Sequence, residues 1–362
     1  MHQFRGNPDY DHQQSAKTGV LLVNLGTPDA PDTRSIRRYL AEFLSDPRVI
    51  EMPRWRWKLI LHGIVLRFRP AHIAPAYRSI WDKDESPLLK ISKQQVEKIK
   101  PQISPQFRHP VECALGMRYG QPSIAHALRE LQASNVQRLL VLPLYPQYSA
   151  TTTASTFDAI AHELMTWRRL PTLRMLVQYH DHPAYIEALA NSITGFRQTR
   201  SQADMLLFSF HGLPKRYLLA GDPYFCQCQK TARLLAEKLG LDENQWRISF
   251  QSRVGREEWL KPYTNETLEA LPGEGKKSVQ VICPGFPSDC LETLEEINIQ
   301  NRKWFIAAGG EHFDYIPALN ASSGHIDMLC GIIEEQCHDW LNLEASSMEE
   351  SQQRAMKMGA EK

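Results

Sequence analysis

The sequence predicts an α/β protein built as two similar doubly wound, Rossmann-like domains, each on a parallel four-stranded sheet. Three observations carry that expectation. Short runs such as 19–25 (GVLLVNL) and 206–210 (LLFSF) are apolar on both faces, as strands covered by helices on either side must be. Helical segments separate them in βαβ order, the order of a parallel sheet with right-handed crossovers. The same plan then recurs in the second half without a convincing sequence repeat, and 362 residues suffice for two domains of ordinary size.

In chain order, residues 1–17 are polar and are expected to form a disordered arm. The first domain, 18–170, holds a strand at 19–25, a turn at Gly26-Thr27-Pro28 and a helix at 33–43. A lip segment occupies 48–90. A helix at 92–100, a strand at 111–117, a helix at 121–132, a strand at 138–143 and a helix at 156–170 complete the domain. The second domain, 171–320, begins with a strand at 173–179 and a helix at 182–198. It continues with strands at 205–210, 246–251 and 278–283 and with helices at 231–239 and 288–297. Apolar residues at helical spacing predict a helix within 321–342 that packs back on the first domain. The remainder, 343–362, is polar and is expected to fray.

Composition narrows the function. A formal net charge of +1 gives no reason to expect nucleic acid. No stretch of about 18 residues is free of charge, so no membrane-spanning helix is expected. The N-terminus lacks the apolar run of a secretory signal, and seven cysteines are an odd count, so reduced thiols in a cytoplasm are expected. Cys226 and Cys228, placed in a loop, read as free thiols rather than a cluster site. Neither GxGxxG nor a P-loop is present, which speaks against a nucleotide enzyme.

Chemistry concentrates at two strand ends. His211 closes the run 206–214 (LLFSFHGLP), and open α/β sheets place their sites at the carboxyl ends of strands. A core histidine bonded to a neighbouring carbonyl is the plainer alternative. Farther on, Glu292 and Glu296 in 287–297 (PSDCLETLEEI) stand four apart on one helical face, suited to holding a cation or relaying protons. Against that, Asp289 followed by Glu292 also fits a capping box. One imidazole with carboxylates suits a transient divalent ion such as Fe²⁺, Co²⁺ or Zn²⁺. Tyr77, Tyr119, Tyr145, Tyr148 and Trp259 lie beside turns, where aromatics make a flat apolar cleft. Between 54 and 78 six Lys or Arg occur without an acid, alternating with Trp55, Trp57, Ile60, Leu61, Ile64, Val65 and Phe68. Such a segment lies on an anionic membrane surface or roofs an apolar pocket; the alternative is a core helix with snorkelling basic ends.

These motifs together resemble the ferrochelatase family, bacterial type, the protohaem ferro-lyases that insert Fe²⁺ into a porphyrin. The resemblance runs from Thr18 to about Trp340 through VNLGTP (23–28), the 77–87 segment, GMRYG (116–120), YPQYS (145–149), SFHGLP (209–214), GDPY (221–224), FQSRVG (250–255) with Trp259, SDCLETLEE (288–296) and PALN (317–320). It implies a chelatase-like fold and protoporphyrin IX and ferrous iron as substrates. His211 and Glu292 would be the catalytic, metal-facing pair, with Glu296 continuing an acidic track. Leu25, Tyr77, Ser86, Arg118, Tyr119, Tyr145 and Trp259 would line or grip the macrocycle, with Arg118 or the basic lip meeting its propionates. The lip at 54–69 would meet the membrane, making the protein cytoplasmic and peripheral on the inner membrane.

Three positions depart from the pattern. Ala150 stands where animal members have a cluster-binding cysteine, so no [2Fe–2S] cluster is expected. Cys290 replaces a histidine, and Gln300 replaces a third glutamate, which shortens the track. Rival readings are a chelatase for cobalt or nickel, one that takes coproporphyrin, and a non-catalytic haem-binding protein.

Overall fold

The computed structural model describes residues 4–7, 12–83, 85–255, 257–343 and 348–361. Its frame is two parallel sheets of identical strand order. The first sets β1 (Lys17–Gly26), β2 (Val111–Tyr119), β3 (Val136–Pro143) and β4 (Thr172–Met175) in the order β2-β1-β3-β4. The second sets β5 (Met205–His211), β6 (Trp246–Gln251), β7 (Ser278–Ile282) and β8 (His312–Tyr315) in the order β6-β5-β7-β8. The central strands β1 and β5 carry apolar runs, Val20–Val23 and Leu206–Phe208, that are sealed from solvent, because helices cover both faces.

The strand expected at 173–179 was assigned by sequence to the second half. It instead pairs with β3 as the last strand of the first sheet. The crossover after β3 adds one more parallel neighbour before the helix Pro183–Arg197 carries the chain across. The second sheet regains its fourth strand from β8, which sequence reading missed. With four residues and an exposed first position, His312–Tyr315 offers no usable alternation.

Several boundaries also move. Ser86 caps the helix Pro87–Ile103, accepting from the Leu89 N–H, so that helix starts earlier than 92. The helix expected at 156–170 ends at Leu164. Cys226 and Cys228 sit in the helix Tyr224–Lys238, not in a loop. Part of the expected disordered arm is docked: Arg5 N–H donates to the Thr166 carbonyl, and Arg168 N–H donates to that of Arg5. The rest of that expectation, at 1–3 and 8–11, lies outside the described residues. In the polar tail Met348–Lys357 is helical.

The two halves share one hydrophobic core. Val20, Leu22 and Leu140 of the first sheet join Leu206 and Phe208 of the second through Ile99, Ile103, Ile326 and Leu329. The last two come from the helix Ser323–Gln336, which lies on Pro87–Ile103 and adds a hydrogen bond from Gln102 Nε2 to Asp327 Oδ1. This packing leaves the carboxyl ends of the central strands facing one another across a gap.

Candidate active site

That gap is a cavity of about 1260 Å³, above the roughly 300–1,000 Å³ of an ordinary small-ligand pocket. The end of β1 supplies Leu25, Gly26 and Thr27; the helix Thr33–Phe43 supplies Tyr39; the lip supplies Trp57, Ile73 and Tyr77; the loop after β3 supplies Tyr145. The second half supplies His211, Trp259, Phe286, Glu292 and Glu296. Most of these walls are aromatic or aliphatic.

His211 is the last residue of β5 and is only partly covered. Its Nδ1 lies 2.6 Å from the Gly212 carbonyl oxygen. A carbonyl can only accept, so Nδ1 carries a proton, and in the neutral ring the lone pair is on Nε2. Gly212 is required at this turn, since a Cβ there would sit 2.6 Å from the Gln251 carbonyl oxygen and 3.1 Å from the Trp259 ring.

Glu292 opens the segment Glu292–Asn301, which is a π-helix rather than the expected α-helix over 288–297. The i→i+5 spacing widens each turn, so residues four and five apart both stay on the cavity side: Glu292, Glu296, Gln300 and Asn301 all line it. Two further π segments, Leu61–Val65 and Ala150–Ala154, also contribute to the walls. The capping box does not form. Asp289 N–H donates instead to Asn320 Oδ1 at 2.8 Å, which leaves the Glu292 carboxylate free to face the cavity. Glu292 lies close enough to Tyr77 and Tyr39 for its charge to add to burial in pushing both phenols well above their usual range.

Glu296 is held by Ser252, whose N–H donates to Oε1 at 2.7 Å and whose hydroxyl donates to Oε2 at 2.5 Å. Burial pushes its pKa up to about 7, with the Glu292 charge adding to the rise against the pull of the Ser252 bonds. Glu295, which sequence reasoning passed over, also faces the cavity and accepts from Gln300 Nε2 at 2.6 Å. Burial raises its pKa as well. The polar track is therefore extended at position 295 rather than at 300.

Of the residues carried over by resemblance, Leu25, Tyr77, Ser86, Tyr145 and Trp259 line the cavity together with His211, Glu292 and Glu296. Arg118 and Tyr119 do not. Tyr119 is fully buried, and its hydroxyl donates to Asp46 Oδ2. Arg118 is pinned by Asp46 and by the Ser155 carbonyl and hydroxyl, with its guanidinium stacked on the Tyr119 ring. Asp46 compels this, because a buried carboxylate draws in the nearest fixed donors. Arg69, half-buried, does line the cavity, and burial lowers its pKa. Its signal in the sequence was only that of one more base in the lip. Among the described residues no group of three His, Cys, Asp or Glu side chains is arranged as a resident metal site. A passing ion is what this donor set can serve. The Trp259 Nε1–H is buried without a partner among the described residues.

A family model described as Ferrochelatase matches residues 17–337. The Ferrochelatase of Nitrosococcus oceani is 54% identical over 365 residues, covering 99% of each chain. That of Marinobacter nauticus is 53% identical over 352 residues, covering 97% of this chain and 95% of the relative. Among solved structures, SirB from Bacillus subtilis with Fe³⁺ superposes with a TM-score of 0.54 at 11% identity, covering 88% of this chain and 95% of that one. The sirohydrochlorin chelatase SirB of Bacillus subtilis subspecies spizizenii, in complex with cobalt, superposes with a TM-score of 0.51 at 10% identity, over 91% and 99%. At such identities these two establish the fold alone. Identity above one half along nearly the whole length, with a model match across both sheets, is decisive: the chain belongs to the ferrochelatase family.

Proposed function

We propose how this cavity performs the ferrochelatase reaction, in which Fe²⁺ enters protoporphyrin IX, two protons leave and protohaem forms as the last step of haem synthesis. The enzyme is a lyase. The observation that carries the assignment of roles is the contact of His211 Nδ1 with the Gly212 carbonyl oxygen. With Nδ1–H committed to the Gly212 carbonyl, Nε2 is the base in the cavity, and an imidazole is suited to taking a pyrrole proton near neutral pH. Glu292 meets the entering iron, and Glu296, poised near pH 7, carries protons away. Both can change partners during one turnover.

A flat porphyrin keeps its nitrogen lone pairs in the ring plane. Burial of the macrocycle against Leu25, Tyr77, Tyr145 and Trp259 supplies the energy to bend it. At about 25 cal/mol per Å², a few hundred Å² of apolar surface gives several kcal/mol. Arg69 and Arg253, which both line the cavity, and the buried Trp259 Nε1–H are donors that can meet the propionates. No [2Fe–2S] cluster is part of this reading, since Ala150 replaces the cysteine that resemblance would require.

The lip adds a location. Trp55, Leu59, Ile64 and Phe68 are 65, 68, 59 and 70% exposed on a segment that also carries Arg54, Arg56, Lys58 and Arg67. No helix of the described residues is long and apolar enough to cross a membrane. The lip rests on an anionic bilayer surface from the cytoplasmic side, and porphyrin enters from there.

Anaerobic incubation with Fe²⁺ and protoporphyrin IX, followed by absorbance, tests the assignment. Wild type should convert porphyrin to haem, while His211→Ala should still quench porphyrin fluorescence on binding but insert no iron. Normal turnover by that variant would remove His211 as the base.

A further inference from the structure

The turn 287–290, which delivers Glu292 to the cavity, has no helix or strand of its own. A buried polar clamp holds it from behind. Asp289 is 6% exposed, and neutral side-chain donors hold its carboxylate. Its Oδ1 accepts from the Thr293 hydroxyl at 2.9 Å and from the Tyr315 hydroxyl at 2.5 Å. Its Oδ2 accepts from Asn320 Nδ2 at 2.7 Å. Asn320 answers in kind: its Oδ1 accepts the Asp289 N–H, and its own N–H donates to the Pro287 carbonyl at 2.8 Å.

The Asn320 carbonyl collects two more donors from different elements. Gln95 Nε2, from the helix Pro87–Ile103, reaches it at 2.9 Å and also holds the Ser288 hydroxyl at 3.0 Å. His325 Nδ1, from the helix Ser323–Gln336, reaches it at 2.5 Å. One residue thus ties the turn before Glu292 to a helix of each half. Asn320 does so at a φ of 51°, in the left-handed region that asparagine tolerates better than most residues. Thr293, the partner of Asp289, is the residue after Glu292, so a shift of the clamp is a shift of that carboxylate.

We infer that Asn320 is a positioning residue for metal insertion: acting through Asp289, it sets where the Glu292 carboxylate stands in the cavity. The inference rests on the role given to Glu292 above. Its chemistry is one of matched donors and acceptors. A carboxylate at 289 offers acceptors only. An amide at 320 offers one donor to that carboxylate and one acceptor to the backbone. With its oxygen kept for the Thr293 and Tyr315 hydroxyls, Asp289→Asn sets two amide NH₂ groups against each other, and Asn320→Asp sets two carboxylates against each other. The double exchange restores one donor facing one acceptor and keeps acceptors for Thr293, Tyr315 and the backbone N–H.

Iron-insertion kinetics on the full chain test this, with porphyrin affinity read separately from fluorescence quenching. Each single variant should lower kcat/KM for Fe²⁺ by about 10- to 100-fold, the usual effect of removing a group that orients a metal ligand. Porphyrin affinity should not change. The double exchange should recover most of the loss. Asn320→Gly, which accepts the left-handed backbone but lacks the amide, should behave like the single variants. Wild-type iron kinetics in the single variants would overturn the inference, as would a double variant no better than either single one. Parallel loss of porphyrin affinity would make the clamp a general prop and overturn it too. Normal insertion by Glu292→Gln would instead overturn the role of Glu292, whatever the variants at 320 do.

Discussion

At the scale of single residues, Glu296 shows how the fold tunes a side chain. An ordinary glutamate is ionised at neutral pH and makes a poor relay. Burial and the nearby Glu292 charge raise this one to about 7, so it can take and give a proton in the working range. Glu296→Gln should therefore slow insertion with little change in porphyrin affinity. The wild-type rate should rise with pH through an inflection near 7 that the variant lacks; an identical profile in both would exclude Glu296 from the relay. Stability follows with a definite sign. A carboxyl raised in the folded state is favourable when protonated, so its contribution is intact below pH about 4.5 and is lost as pH climbs to about 7. Relative to Glu296→Gln, wild type should lose up to about 3 kcal/mol across that window, measured by denaturant unfolding at several pH values.

At the scale of elements, the lip and the π-helix Glu292–Asn301 both line the cavity. The lip helices Arg54–Ile60 and Leu66–Ile80 flank a π segment, and that segment's wide turn belongs to the cavity wall. Their outer face holds apolar side chains that nothing among the described residues covers. Burying one of these in a bilayer interface is worth about 1.5–3 kcal/mol. Phe68→Ser or Trp55→Ser should thus weaken binding to vesicles containing anionic phospholipid by about tenfold or more, since 1.4 kcal/mol is a factor of ten. Raised salt should weaken the wild type as well, because the flanking bases act through screened charge. Equal sedimentation of wild type and variants with such vesicles would leave the lip as a pocket roof only.

At the scale of the molecule, two repeated sheets behave as one unit. One face of each sheet packs into a shared core through Ile99, Ile103, Ile326 and Leu329, so neither half can open without exposing the other. Far-ultraviolet circular dichroism and tryptophan fluorescence should report one coincident unfolding transition. Leu329→Ala, at a position with no exposure, should lower that transition for both probes, costing about 2–5 kcal/mol. Two separated transitions would show that the halves fold independently.

Much of this was legible in residues 18–340. Runs apolar on both faces have only one home, inside a covered parallel sheet, so β1 and β5 and the place of His211 at a strand end follow from composition and local sterics. Helical spacing pointed to Glu292 and Glu296, and of the seven wall residues that the resemblance implied, five line the cavity. What remained hidden depends on partners distant in sequence. Arg118 and Tyr119 look available until Asp46 is seen to claim them. Asp289 reads as a cap until Asn320 appears 31 residues later to take its N–H. The 173–179 run is a strand in either half, and only the ladder with β3 decides which sheet it closes. Local patterning determined which segments are strands and helices and where their chemistry must emerge. Hydrogen-bond satisfaction and burial, which no window of sequence contains, decided which of those side chains are free to act.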